Sequence, residues 1–114
     1  MFKQRDILLI PLPFTDLSAT KQRPVVVISN DDYNSKTEDV VVMAITSNIE
    51  HLEYELPITT ANLEIGTLPK PSCIRADKIY TLAQSIVAKT FGRINRQTFE
   101  QIWPLLERLT QNRS

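Results

Sequence analysis

Apolar residues in this chain gather into short runs separated by polar stretches, and most runs are rich in Val and Ile. Short β-branched runs bounded by turn-forming residues predict strands rather than helices. Strands are expected over Asp6–Leu12, Pro24–Ile28, Val40–Ile45, Glu53–Ile58, Ser72–Ile79 and Ser85–Phe91. Pro11 and Pro13 mark the exit or an edge of the first, and Pro57 weakens the half-exposed fourth. Phe14–Gln22 reads as a polar connection. In the Ser29–Asp39 loop, Asn30, Asp31 and Asp32 suit the cap of a short helical turn. Gly66 and Pro69-Lys70-Pro71 punctuate another connection, and Gly92 is expected to break the chain.

The period changes near the C-terminus. From Asn95 to Thr110 the apolar residues are Phe99, Ile102, Trp103, Leu105, Leu106 and Leu109, spaced along one helical face. Trp103 is expected in the core on this stripe. Pro104 should kink that helix or begin its second half. Strands followed by a helix predict a mainly β (α+β) fold, an antiparallel sheet or small barrel with a C-terminal helix. A chain of 114 residues fits a single domain over 1–114, able to remove about two-thirds of its unfolded surface from water.

Composition narrows the function classes. Thirteen basic and thirteen acidic residues leave no net charge, so any nucleic-acid contact must come from a local patch. One cysteine, Cys73, permits neither an internal disulfide nor a cysteine-based zinc site, and suits a reducing cytosol. Two glycines are too few for a phosphate-cradling loop. No apolar run is long enough for a membrane span or a signal peptide, so the protein is expected to be soluble and cytoplasmic.

The candidate chemistry begins at Lys21-Gln22-Arg23-Pro24, followed by Val25-Val26-Val27-Ile28. Pro24 restrains the backbone of Arg23 and suits the first position of a strand. If the second and third strands pair as antiparallel neighbours, Arg23 and Thr46 reach the same edge of the sheet. A guanidinium beside a hydroxyl makes a small anion-binding corner. Taken alone, Arg23 is a solvated strand-entry charge and Thr46 a strand-end cap. Arg75 and Asp77 share a strand face with Cα atoms roughly 6.5–7 Å apart, which by itself is a structural ion pair. Lys70 and Lys78 extend a basic surface nearby. His51, the one histidine, lies in a polar loop without a histidine partner, and Cys73 is expected to pack.

In order and spacing these segments resemble the MazF/PemK (Kid) family of toxin–antitoxin toxins over nearly the whole chain. The resemblance is carried by Asp6-Ile7-Leu8-Leu9 with Pro13-Phe14-Thr15-Asp16, by Arg23-Pro24 and its Val run, and by Ala44-Ile45-Thr46-Ser47. It continues in Ile74-Arg75-Ala76-Asp77 and Gly92-Arg93-Ile94. It implies an SH3-like barrel acting as a homodimer and as a metal-independent, cofactor-free endoribonuclease. Such enzymes cut single-stranded RNA, often mRNA, at short sequences, leaving a 2′,3′-cyclic phosphate and a 5′-hydroxyl. A cognate antitoxin with a largely disordered tail would block the RNA groove. Arg23, Thr46, Arg75 and Asp77 are the implied catalytic positions, with Asp77 as base and Arg75 or Arg23 as acid. Lys21, Gln22, Ser47, Asn48, Lys70 and Lys78 are the implied RNA contacts.

This chain departs from the family pattern at three points. Arg5 stands where relatives usually have Gly, Leu17-Ser18-Ala19-Thr20 replaces a glycine-rich loop, and the histidine some relatives carry in that loop is missing. Two other readings share the fold. One is a gyrase poison of the CcdB type, whose Trp-Gly-Ile ending is not found here. The other is a degenerate member that binds RNA or a protein without cleaving.

Overall fold

The structure, a computed structural model, describes residues 1–13 and 20–112, with the backbone alone described at 12, 13, 20 and 21. Leu17, Ser18 and Ala19 of the first loop, and the side chain of Lys21, therefore lie outside the described residues. Among the described residues, seven strands form one antiparallel sheet. They are β1 (Asp6–Pro13), β2 (Thr20–Val27), β3 (Asp39–Thr46), β4 (Glu55–Ile58), β5 (Leu63–Ile65), β6 (Ser72–Ala83) and β7 (Lys89–Ile94). Their spatial order is β4-β6-β3-β2-β1-β7-β5, and the sheet curls into a half-barrel. Among the described residues three α-helices accompany it: α1 (Asp31–Lys36), α2 (Arg96–Glu100) and α3 (Ile102–Thr110).

The valine run owes its strand to burial on both faces. Val26 joins Ile7, Met43, Ile45 and Ile74 in a core closed by Phe99, Ile102 and Leu105 from the C-terminal helices. Val25 and Val27 turn to the opposite face, where they pack with Leu8, Ile10, Val40 and Val42. A strand covered on both sides has no polar alternation, which is how the sequence reads. Each such side chain contributes roughly 1.5–3 kcal/mol of burial.

Several boundaries differ from the sequence expectation, each for a physical reason. The second strand begins at Thr20 rather than Pro24, so Arg23 lies inside β2, paired with Ile10. The ladder to β3 starts only at Val25, past the residue that has no N–H to give. Pro57 is accommodated because β4 is an edge strand. Gly92 does not break the chain. It lies within β7, where an added Cβ would collide with the carbonyl oxygen of Ile65 on β5. The expected strand at Ser85–Phe91 is replaced by a 3-10 turn at Gln84–Ile86 and a strand starting at Lys89. The three-residue β5 was missed altogether.

The helical expectations fare better. Asn30 caps α1 by accepting from Tyr33 N at 2.8 Å. The C-terminal helix divides at Gln101, and Pro104 falls in the first turn of its second half, where its missing N–H does no harm. Trp103 is a correction. It is 38% exposed at the surface, its ring edge-on to Phe99 with centroids 5.1 Å apart. No described helix is long and apolar enough to cross a membrane.

Candidate active site

β2 and β3 pair with Val25 opposite Ala44, Val26 opposite Met43 and Val27 opposite Val42. Continued outward by two residues, that register sets Arg23 opposite Thr46. Both residues line one open depression of about 210 Å³, together with Asn48, Arg75, Lys78 and Tyr80. Two sites distant in sequence thus meet at one rim, as the antiparallel pairing requires. Thr46 Oγ1 accepts from Asn48 N at 3.1 Å, so the hydroxyl does cap the strand end. The cap uses its lone pairs and leaves the hydroxyl proton to donate.

β6 brings the second pair of residues by an irregularity that period counting cannot foresee. Its register with β3 jumps from Met43↔Ile79 to Ala44↔Arg75. Ala76, Asp77 and Lys78 consequently have no partner on β3. Ala76 stays buried, its N–H donating to Tyr54 O at 3.0 Å across the β4 side. Asp77 and Lys78 are turned outward at the rim. Bulges of this kind re-aim side chains beside functional sites.

Arg75 holds Asp77 in a two-pronged pair, Nε to Oδ1 at 2.8 Å and Nη2 to Oδ2 at 2.7 Å. The guanidinium holds the Asp77 carboxyl below its usual range, while the carboxylate pushes the Arg75 pKa up. The Nη1 edge of Arg75 points away from that carboxylate. Around this rim Arg23, Arg75 and Lys78 gather, with Asp77 paired to Arg75 and Glu55 opposite Arg75 on β4, so basic side chains line the depression of a neutral chain.

A second depression of about 220 Å³ adjoins the first, sharing Arg23, Pro24, Ile45 and Thr46 with it. Gln22, Ser47 and Lys70 stand along it. Every expected site residue with a described side chain except Asp77 therefore lines one of two neighbouring depressions, and Asp77 is tied to Arg75. Tyr80, Leu68 and Phe91 also line them, and sequence reasoning missed all three. No pattern marked Tyr80, because only the bulge in β6 turns it to this side.

The rest of the chemistry lies elsewhere. Cys73 is buried, and burial first and the neighbouring Glu55 second push its thiol up to about 11, so it is inert packing. His51 is exposed in a loop and lines neither depression. A larger hollow of about 540 Å³ lies between α1 and the end of β6. Within it, Gln84 Nε2 donates to the carbonyls of Asn34 and Asp39 at 2.8 and 3.0 Å, a latch rather than a reactive centre. Among the described residues, no group of three His, Cys, Asp or Glu could hold a metal ion.

Comparison with solved structures finds the same architecture. An endoribonuclease from a mycobacterial species, in complex with its cognate antitoxin, superposes with a TM-score of 0.80 at 18% identity over 100% of both chains. The Mycobacterium tuberculosis toxin MazF-mt6 gives 0.74 at 21% identity, over 91% of this chain and 94% of that one. MazF from a MazE–MazF crystal of Deinococcus radiodurans gives 0.73 at 18% identity, over 95% and 94%. At such identities the likeness concerns the fold. A comparison with curated proteins finds no match. Residues 3–110 match the family described as the PemK-like, MazF-like toxin of type II toxin–antitoxin system. Over nearly its whole length, then, this chain belongs to the PemK-like, MazF-like toxin family.

Proposed function

We propose that this toxin is a metal-independent, sequence-specific endoribonuclease that cuts single-stranded RNA, mRNA included, in the cytoplasm. The observation that carries the reading is the meeting of Arg23, Thr46 and Arg75 in one open depression, with Asp77 paired to Arg75. In the reaction, O2′ of a ribose attacks the adjacent phosphorus as the P–O5′ bond breaks. The products are a 2′,3′-cyclic phosphate and a 5′-hydroxyl. Negative charge gathers on the non-bridging oxygens in the transition state, and a guanidinium matches it with two parallel donors.

Arg23 stabilises that charge, and the Thr46 hydroxyl donates to a phosphate oxygen and fixes its orientation. Asp77 takes the proton from O2′. Its lowered pKa keeps it ionised at neutral pH, at the cost of base strength. Arg23 and Arg75 are the two candidates for returning a proton to O5′. Arg75 already commits Nε and Nη2 to Asp77 and is assigned as an electrostatic partner, and Arg23 is assigned as donor. Lys21, Gln22, Ser47, Asn48, Lys70 and Lys78 hold the flanking nucleotides. The toxin acts as a homodimer, and a cognate antitoxin silences it by covering the same rim.

Incubation of the purified protein with a long single-stranded RNA in EDTA tests this reading. Cleavage to fragments with 5′-hydroxyl ends is expected. Intact RNA, with DNA damage on induction in a bacterium, would instead identify a gyrase poison. RNA bound but intact would identify a degenerate member.

A further inference from the structure

Residues 47–54 join β3 to β4 and belong to neither strand. This loop is tied to the end of β3 by its own side chains. Asn48 N donates to Thr46 Oγ1 at 3.1 Å, and Asn48 Nδ2 donates to Glu50 Oε1 at 3.2 Å. Its other end rests on one carboxylate, that of Glu55 at the start of β4. Glu50 N donates to Glu55 Oε2 at 3.3 Å and Leu52 N to Glu55 Oε1 at 3.2 Å. Glu55 N in turn donates to Leu52 O at 3.2 Å. Between the two donors stands His51, whose φ of 57° lies in the left-handed region. A residue in that conformation can turn neighbouring N–H groups toward one point and make a concavity for an anion. Here the anion is the protein's own side chain, only 8% exposed. A buried carboxylate is costly unless its oxygens accept hydrogen bonds, and the loop supplies them. Glu55 lines neither depression, yet it stands opposite Arg75 on the β4–β6 ladder.

We propose that Glu55 is a positioning residue for cleavage: by gripping the turn at Glu50 and Leu52 it holds Asn48 against the Thr46 hydroxyl and so sets where that hydroxyl points. The inference rests on the ribonuclease reading and adds to it a residue outside both depressions. Thr46 ends β3 and is only partly buried, so packing leaves more than one staggered rotamer open to it. The bond from Asn48 N to Oγ1 selects one of them and leaves the hydroxyl proton for a phosphate oxygen. With the turn unanchored, Asn48 N leaves Oγ1 and the hydroxyl divides its time among rotamers that miss the phosphate. A carboxylate suits the task because both of its oxygens accept. An amide in its place would set an NH2 group against a backbone N–H. Glu55 is not a second base, for its oxygens are taken up by the loop and it lines neither depression.

The test measures single-turnover cleavage, with protein in saturating excess, for wild type, Glu55→Gln, Thr46→Val and the double variant. Melting curves establish folding, and three-bond couplings across Thr46 χ1, read by NMR, report its rotamer. Glu55→Gln should cleave roughly ten- to a hundredfold more slowly than wild type, as reacting groups held slightly out of place do. The double variant should be no slower than Thr46→Val, because a residue that acts through the hydroxyl has nothing to act on once it is gone. A merely structural Glu55 would instead multiply the two losses. The couplings should report one rotamer in wild type and an average in Glu55→Gln. If Glu55→Gln is unfolded at the assay temperature, Glu55→Asp, which keeps the charge but draws it back by one methylene, is read in the same way. A wild-type rate in the folded variant, multiplied losses in the double variant, or unchanged couplings overturns the assignment. If wild type leaves RNA intact, the ribonuclease reading fails. Averaged couplings in Glu55→Gln would then still sustain the hold of Glu55 on Thr46, and unchanged ones would overturn both.

Discussion

Arg5 shows what a single backbone angle demands. Its φ of 79° lies in the left-handed region, where a side chain costs roughly 1–2 kcal/mol. Glycine adopts such an angle without strain, which fits the resemblance's expectation of glycine at this position. This chain offsets the strain with contacts: Arg5 Nη1 donates to Ile94 O at 2.9 Å and to Glu64 Oε1 at 3.1 Å. Glycine would relieve the angle and lose those contacts, so Arg5→Gly should change stability by less than about 1 kcal/mol. Arg5→Ala keeps the strain without the contacts and should lose about 1–2 kcal/mol in urea titrations.

The Arg75–Asp77 pair makes a second residue-scale prediction. Asp77 has a depressed pKa in the folded state, so its contribution to stability is present above the unfolded value. That contribution disappears as pH falls through the folded one. Asp77→Asn should therefore cost stability at neutral pH, and the gap should begin to close below about pH 4 and vanish only once pH has fallen through the lower, folded value. Melting temperatures across that range check it. A constant gap between the two proteins would mean that the pair does not contribute through charge.

At the scale of elements, the legible and illegible parts divide by where the information lies. Strands β1, β2 and β3 are written in local composition, and so is the Asn30 cap. The long-range partners of β5 are not, since three residues carry too little pattern. The bulge in β6 was equally hidden, because period-two counting across Arg75 and Asp77 cannot register residues without partners. Yet the site survived that ignorance. Arg23 and Thr46 meet through simple antiparallel register, which depends only on β2 and β3 being neighbours. Phe91 and Leu68 lacked any such rule and were found only in three dimensions.

Two element-scale variants follow. Asn95 caps α2, accepting from Thr98 N at 2.8 Å, and Asn95→Ala should cost about 1 kcal/mol. Gly92→Ala is the harsher change, since the new methyl meets the backbone of β5 rather than a side chain that could rotate. It should destabilise by about 1–3 kcal/mol, read by urea denaturation. Protection of the β5 and β7 amides from exchange should fall at the same time.

For the whole molecule, a net charge of zero sets the style of recognition. No global field draws RNA in, so affinity must arise at the rim where Arg23, Arg75, Lys70 and Lys78 gather. The curled sheet supplies the rigidity: both faces of β2 and β3 are packed, so the groups at their ends move little relative to each other. Fold and chemistry thus depend on the same valine-rich strands. The most direct measurement is the single-turnover rate of cleavage of one defined RNA, in chelator, by wild type, Arg23→Ala and Thr46→Val. Folding of each variant is verified by its melting curve. The account predicts a 5′-hydroxyl product from wild type and a loss of roughly a hundred- to thousandfold for Arg23→Ala. Cleavage by folded Arg23→Ala at the wild-type rate would contradict it.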